Sequence, residues 1–147
     1  MTKSNMERFY EAHRRDFEKA LSEIRNGYKE SHWMWYIFPQ IRGLGRSFAS
    51  EHYAIADMSE AVDFLNDSYL GGNLRMICEE LLKCKTSDPV KIFGGIDAKK
   101  LRSCMTLFDC AGGGTEENRV FYDVLLRFFN GRHDDKTLRI IESMKKE

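Results

Sequence analysis

A chain of 147 residues fits one ordinary domain and leaves no room for two full ones. Its hydrophobic content of 42% and charged content of 31% exclude a disordered chain. Lys+Arg and Asp+Glu number 23 each, so the formal net charge is zero, which excludes the basic excess that bulk binding to DNA, RNA or an anionic membrane requires.

The first residues, Met1 to Arg8, contain no apolar run, so no secretory signal is expected. No stretch approaches the roughly 18 apolar residues of a membrane helix, and the expected location is the cytoplasm. Cys78, Cys84, Cys104 and Cys110 are then expected to be thiols. The spacing within each pair is not that of a zinc site, and on a helix six residues turn about 240°, so the thiols diverge. Neither a metal site nor a cofactor is expected.

The first predicted element is a helix whose apolar stripe is Met6, Phe9, Tyr10, His13, Phe17, Leu21 and Ile24, with Ser4 and Glu7 as a capping box and Gly27 as its stop. Residues 28–55 are irregular. Ser31 is expected to cap a short helix through Trp33–Ile37 that Pro39 ends, a small hairpin over Trp33–Phe38 being the alternative. Arg42 to Ser47 reads as a loop. Asp57, with Glu60 three residues on, opens the next helix, carrying Ala61, Phe64 and Leu65. Gly71-Gly72 is expected to break the chain before a helix with Leu74, Ile77, Cys78, Leu81 and Leu82.

Asp88-Pro89 marks another helix start. Val90-Lys91-Ile92-Phe93 is the nearest approach to a strand, and Gly94-Gly95 is a break. Asp97 begins a helix with Leu101, Cys104, Met105 and Phe108 on one face, stopped by Gly112-Gly113-Gly114. Thr115 caps a helix with Val120, Phe121, Val124, Leu125, Phe128 and Phe129, closed by Gly131. Asp134 or Asp135 opens the last, with Leu138, Ile140, Ile141 and Met144. The expected fold is mainly α: a single compact multi-helix domain over residues 1–147, with an irregular aromatic and glycine-rich segment near residues 28–55.

Both tryptophans fall in Ser31-His32-Trp33-Met34-Trp35-Tyr36-Ile37-Phe38-Pro39-Gln40. Such rings either anchor a core or provide a stacking wall for a flat ligand. The loop Arg42-Gly43-Leu44-Gly45-Arg46-Ser47 follows. Its glycines can present backbone N–H groups to an anion, and its arginines carry forked donors for phosphate or carboxylate. The spacing matches neither the phosphate loop nor the dinucleotide fingerprint. Next comes Ser50-Glu51-His52-Tyr53. Glu51 becomes a general acid or base if the rings shield it. The turn Gly112-Gly113-Gly114-Thr115 is a weaker phosphate cradle, because Glu116 and Glu117 would repel the ligand. Arg102, Thr106 and Asp109 share a polar helical face, either solvated or closing a cleft against the Arg42–Arg46 loop.

The tryptophan segment, together with Gly43-Leu44-Gly45-Arg46-Ser47, Tyr53-Ala54-Ile55 and Lys100-Leu101-Arg102-Ser103-Cys104-Met105-Thr106-Leu107-Phe108, closely resembles the family called domain of unknown function 1810. The resemblance implies a small, mainly helical domain and no particular activity. Ser50-Glu51-His52-Tyr53 has a looser likeness to the NADAR (YbiA-like) N-glycosidases, which handle ADP-ribose and related nucleotides. That likeness implies a catalytic glutamate, here Glu51.

The expected site is thus a pocket for a nucleotide- or ADP-ribose-like ligand. Its binding residues are His32, Trp33, Trp35, Tyr36, Gln40 and Arg42, then Gly43, Gly45, Arg46, Ser47 and Tyr53. In the enzyme reading Glu51 assists water attack on an N-glycosidic bond. The alternative is a protein–protein interaction module without catalysis, its aromatic and arginine residues acting as a hot spot.

Overall fold

The apolar stripes legible in the sequence become the buried faces of helices. A computed structural model describes residues 5–145, which form eight α-helices and no strand. They are α1 (Glu7–Arg25), α2 (Met34–Ile37), α3 (Phe48–His52), α4 (Met58–Asn66), α5 (Ser68–Leu82), α6 (Pro89–Ala111), α7 (Val120–Phe129) and α8 (Asp135–Lys145). A 3-10 turn, Glu116–Asn118, precedes α7. None of the described helices is long and apolar enough to cross a membrane.

Helix α7 packs on both α5 and α6, α1 lies on α5, and α4 bridges α5 and α6. Helix α2 leans on α1, and α8 on α6. From α1 the core takes Phe9, Ala12, Phe17, Ala20, Leu21 and Ile24, close to the expected stripe. Gly27, at φ 79°, ends α1 in a left-handed turn: its N–H donates to Ile24 O and that of Tyr28 to Glu23 O. His13 is fully inside, with Nε2 2.8 Å from the Tyr36 carbonyl and Nδ1 3.1 Å from Asn73 Nδ2. One nitrogen must donate and the other accept, so the ring is held neutral. Burial pushes its pKa down to about 4 against a weaker upward pull from the Tyr36 carbonyl.

Several local expectations change. Ser4 lies outside the described residues. Ser31 does not cap α2; its hydroxyl donates to Glu23. Trp33–Phe38 is a helical turn, not a hairpin, and Val90–Phe93 lies in the first turns of α6, where Asp88 accepts the Val90 N–H. Gly71-Gly72 does not break the chain. Asp67 caps α5 by accepting from Tyr69 and Leu70, and the helix runs straight through both glycines. A Cβ on Gly71 would stand 2.2 Å from the Leu65 carbonyl oxygen, so this glycine serves close packing between α4 and α5. Gly94 does interrupt regularity: at φ 81° it kinks α6 between Pro89 and Ala111. Thr115 precedes the 3-10 turn and makes no side-chain cap, its hydroxyl donating to the Gly112 carbonyl instead. Asn130 takes a left-handed conformation one residue before Gly131, and Asp134 caps α8 by accepting from Thr137 N–H and Oγ1–H.

Candidate functional site

The irregular segment divides where α2 turns. Its inner half is bound to one carboxylate. Glu23, near the end of α1, accepts hydrogen bonds from Glu30 N–H, Ser31 N–H, the Ser31 hydroxyl and Trp33 Nε1–H, at 2.7–2.9 Å. Burial alone would push this carboxyl up, but the four donors outweigh it and hold it down at about 2. Trp33 is 1% exposed, packed on Phe38 and Phe93. Tyr36 is buried as well. Its hydroxyl donates to Asp16, and burial together with that carboxylate raises the phenol to about 12. These two rings are core anchors, not walls of an open site. His32 is exposed, and its carbonyl oxygen lies 3.2 Å from the Tyr36 hydroxyl oxygen.

The outer half faces a cleft of about 290 Å³. One wall is Trp35, Gln40, Ile41, Leu44 and Gly45, continued by Ser50, Tyr53 and Ala54 around α3. The loop is closed by a single parallel bridge: Arg42 N–H donates to Ile55 O at 2.9 Å, and Ile55 N–H to Gln40 O at 2.8 Å. Gly45 is needed here because a Cβ would lie 2.8 Å from Ser50 Cβ and Oγ. Ser47 caps α3 by accepting the Ser50 N–H at 3.1 Å. The Tyr53 ring packs 4.9 Å from Tyr36, which places a half-buried phenol between core and cleft.

The opposite wall was not in the expected site. It comes from α6 after the Gly94 kink (Ile96, Lys99, Lys100 and Ser103) and from the start of α8, with Asp134 and Lys136. Lys99 and Ser103 are four apart and share a helical face. The only hint in the sequence was the polar face of Arg102, Thr106 and Asp109, and its role differs from the expected one. Arg102 donates to the carbonyls of Arg132 and His133, Thr106 Oγ1 accepts the Asp134 N–H, and Asp109 sits 2.7 Å from His133 Nε2. These contacts fix the segment that delivers Asp134 and Lys136 to the cleft.

Of the expected residues, Trp35, Gln40, Gly45 and Tyr53 line the cleft together. Arg42 and Arg46 are exposed and outside its lining, as are Gly43 and Ser47. Glu51 and His52 are exposed on α3 and do not line it either. The cleft's cations are lysines: three line it, against one aspartate.

Lys100 is the most constrained of them. Its Nζ lies 3.9 Å from the centre of the Trp35 ring and 3.0 Å from Asp97 Oδ1. The other Asp97 oxygen holds Lys29 at 2.8 Å, and Lys29 in turn lies 5.0 Å above Trp33. Burial would raise the Asp97 carboxyl, and the two ammonium groups overcome it and keep it below its ordinary value. Among the described residues no group of three or more His, Cys, Asp or Glu side chains is placed to hold a metal ion.

No curated protein matches this sequence. The solved structure of the conserved hypothetical protein Rv1873 from Mycobacterium tuberculosis is similar: 34% identity over 93% of this chain and 96% of that one, with a TM-score of 0.88. Neither this neighbour nor the family match extends the likeness of Ser50–Tyr53 to the NADAR N-glycosidases. The family profile described as "Protein of unknown function (DUF1810)" matches residues 3–141, and the chain belongs to that family.

Proposed function

We propose that this protein binds a small anionic ligand with a flat part, of nucleotide type, in the cleft between the 40–54 loop and α6. The observation that supports it is the meeting of Trp35 and Tyr53 with Lys99, Lys100 and Lys136 around one hollow. Aromatic walls with a few convergent charges are what small-ligand pockets use. At about 290 Å³ the cleft is at the low end of such pockets, roughly 300–1,000 Å³. It suits a mononucleotide-sized group better than a whole ADP-ribose. Hydrolysis of an N-glycosidic bond by Glu51 is not carried into the proposal. An acid or base must lie within hydrogen-bond reach of the reacting group, and Glu51 is exposed outside the cleft lining.

A thermal-shift panel of nucleoside monophosphates, diphosphates and ADP-ribose tests the reading. A true ligand at a hundred times its dissociation constant stabilises by about 2.7 kcal/mol, and substituting Lys136→Glu should abolish the shift. A panel in which no compound moves the transition defeats it. The second reading, a protein-interaction surface, draws on Phe48 and Ile96, which are 80% and 76% exposed. That reading gains if Phe48→Ser and Ile96→Ser abolish a partner complex while the nucleotide panel stays silent.

A further inference from the structure

Which end of the ligand lies at Trp35 follows from what already occupies that ring. We propose that Lys100, seated on Trp35 by Asp97, is the anchor for the ligand's oxyanion, a phosphate or a group of the same charge and shape. The flat part then lies toward Tyr53 and Leu44. This deepens the preceding reading and rests on the cleft being a ligand site.

An ammonium has three donors and no acceptor. One N–H of Lys100 donates to Asp97 at 3.0 Å and the ammonium rests 3.9 Å from the centre of the indole ring, so the group is fixed with a donor to spare. Asp97 does not neutralise it fully, because the same carboxylate also serves Lys29. Both partners are largely shielded: the side chains of Lys100 and Asp97 are 19% and 18% exposed. A cation so shielded, whose counter-ion is shared with a second ammonium, attracts an anion more strongly than a solvated one, since less screening water intervenes. Lys99 and Lys136 line the same hollow and add to that field.

A base stacking on the Lys100 side of Trp35 would instead have to displace the ammonium from the ring and strain its pairing with Asp97. The arrangement therefore reverses the assignment that the sequence suggests, in which rings take the base and the arginines take the phosphate. Arg42 and Arg46 are exposed outside the lining, and the tryptophan presents a cation.

The test uses the whole chain and three probes: inorganic pyrophosphate, adenosine, and adenosine monophosphate. Dissociation constants are measured by calorimetry, with tryptophan fluorescence as a second signal. Pyrophosphate and the nucleotide should bind, adenosine at least tenfold more weakly than the nucleotide. Lys100→Met should weaken pyrophosphate at least tenfold, and Lys100→Arg should restore most of the affinity. If Lys100→Met fails to fold, the wild type still decides. Pyrophosphate should slow reductive methylation of the Lys100 amine, read by mass spectrometry, relative to the exposed Lys83 and Lys85, and adenosine should not. Adenosine binding as tightly as the nucleotide, with Lys100→Met indifferent, overturns the anchor and leaves the cleft standing. Binding by none of the three probes removes both.

Discussion

Trp33 and Trp35 are two residues apart and have opposite surroundings. Trp33 is sealed against Phe38 and Phe93, its indole N–H spent on Glu23. Trp35 lines an open cleft, its ring under the ammonium of Lys100. Little more than half a helical turn separates an anchoring side from a cleft-facing side, because two residues advance by about 200°. A cluster of aromatic residues in a sequence is therefore not one feature. The side that meets the core fixes the segment, and the side left over is available to a ligand.

The strongest way to break this contrast is to truncate each ring. Trp33→Ala should cost about 3–5 kcal/mol, the range for a large buried ring, and it also strips a donor from Glu23. Trp35→Ala should cost only about 1 kcal/mol while removing ligand binding. Urea denaturation measures both. Equal losses would mean that both tryptophans are core.

Acid sharpens the same contrast. The carboxyl of Glu23 falls from an ordinary 4.5 to about 2 on folding. Its contribution is present above pH 4.5 and is lost as pH falls toward 2, about 3 kcal/mol in all. His13, lowered from 6.5 to about 4, behaves similarly in a higher window: its neutral form favours the fold above pH 6.5, and that stability declines as pH drops toward 4. Glu23→Gln should flatten the profile below pH 4.5 and leave the His13 portion in place. A variant with the same acid profile as the wild type would remove Glu23 from its role as anchor.

Smaller effects concern the cleft. Lys99→Glu should weaken a nucleotide about tenfold, or about 1.4 kcal/mol, with the melting temperature nearly unchanged. The smallest are expected at Arg42→Ala and Arg46→Ala, within about 0.5 kcal/mol in stability and about twofold in affinity. A large loss of affinity at either arginine would return the site to the glycine loop.

How much of this was legible in the sequence depended on range. Helix stripes, the Gly27 stop and the Asp57 and Asp88 caps are set by residues within a turn or two of each other. Spacing along the chain fixes them. Gly71 shows the limit: a glycine looks the same whether it breaks a helix or lets two helices touch, and only the Leu65 carbonyl 2.2 Å from its would-be Cβ decides which.

The site shows the same division. Composition and pattern alone determined a mainly helical chain, and the peculiar residues of 31–53 marked one wall of the cleft. Tertiary structure decided the rest. It sent Trp33 inward and Trp35 outward, left Arg42, Arg46 and Glu51 outside the lining, and brought Lys99, Lys100 and Lys136 across from helices far along the chain. The reason is physical: a side chain's chemistry is carried by its own atoms, whereas its burial and its partners are set by the packing of segments that the local sequence does not encode.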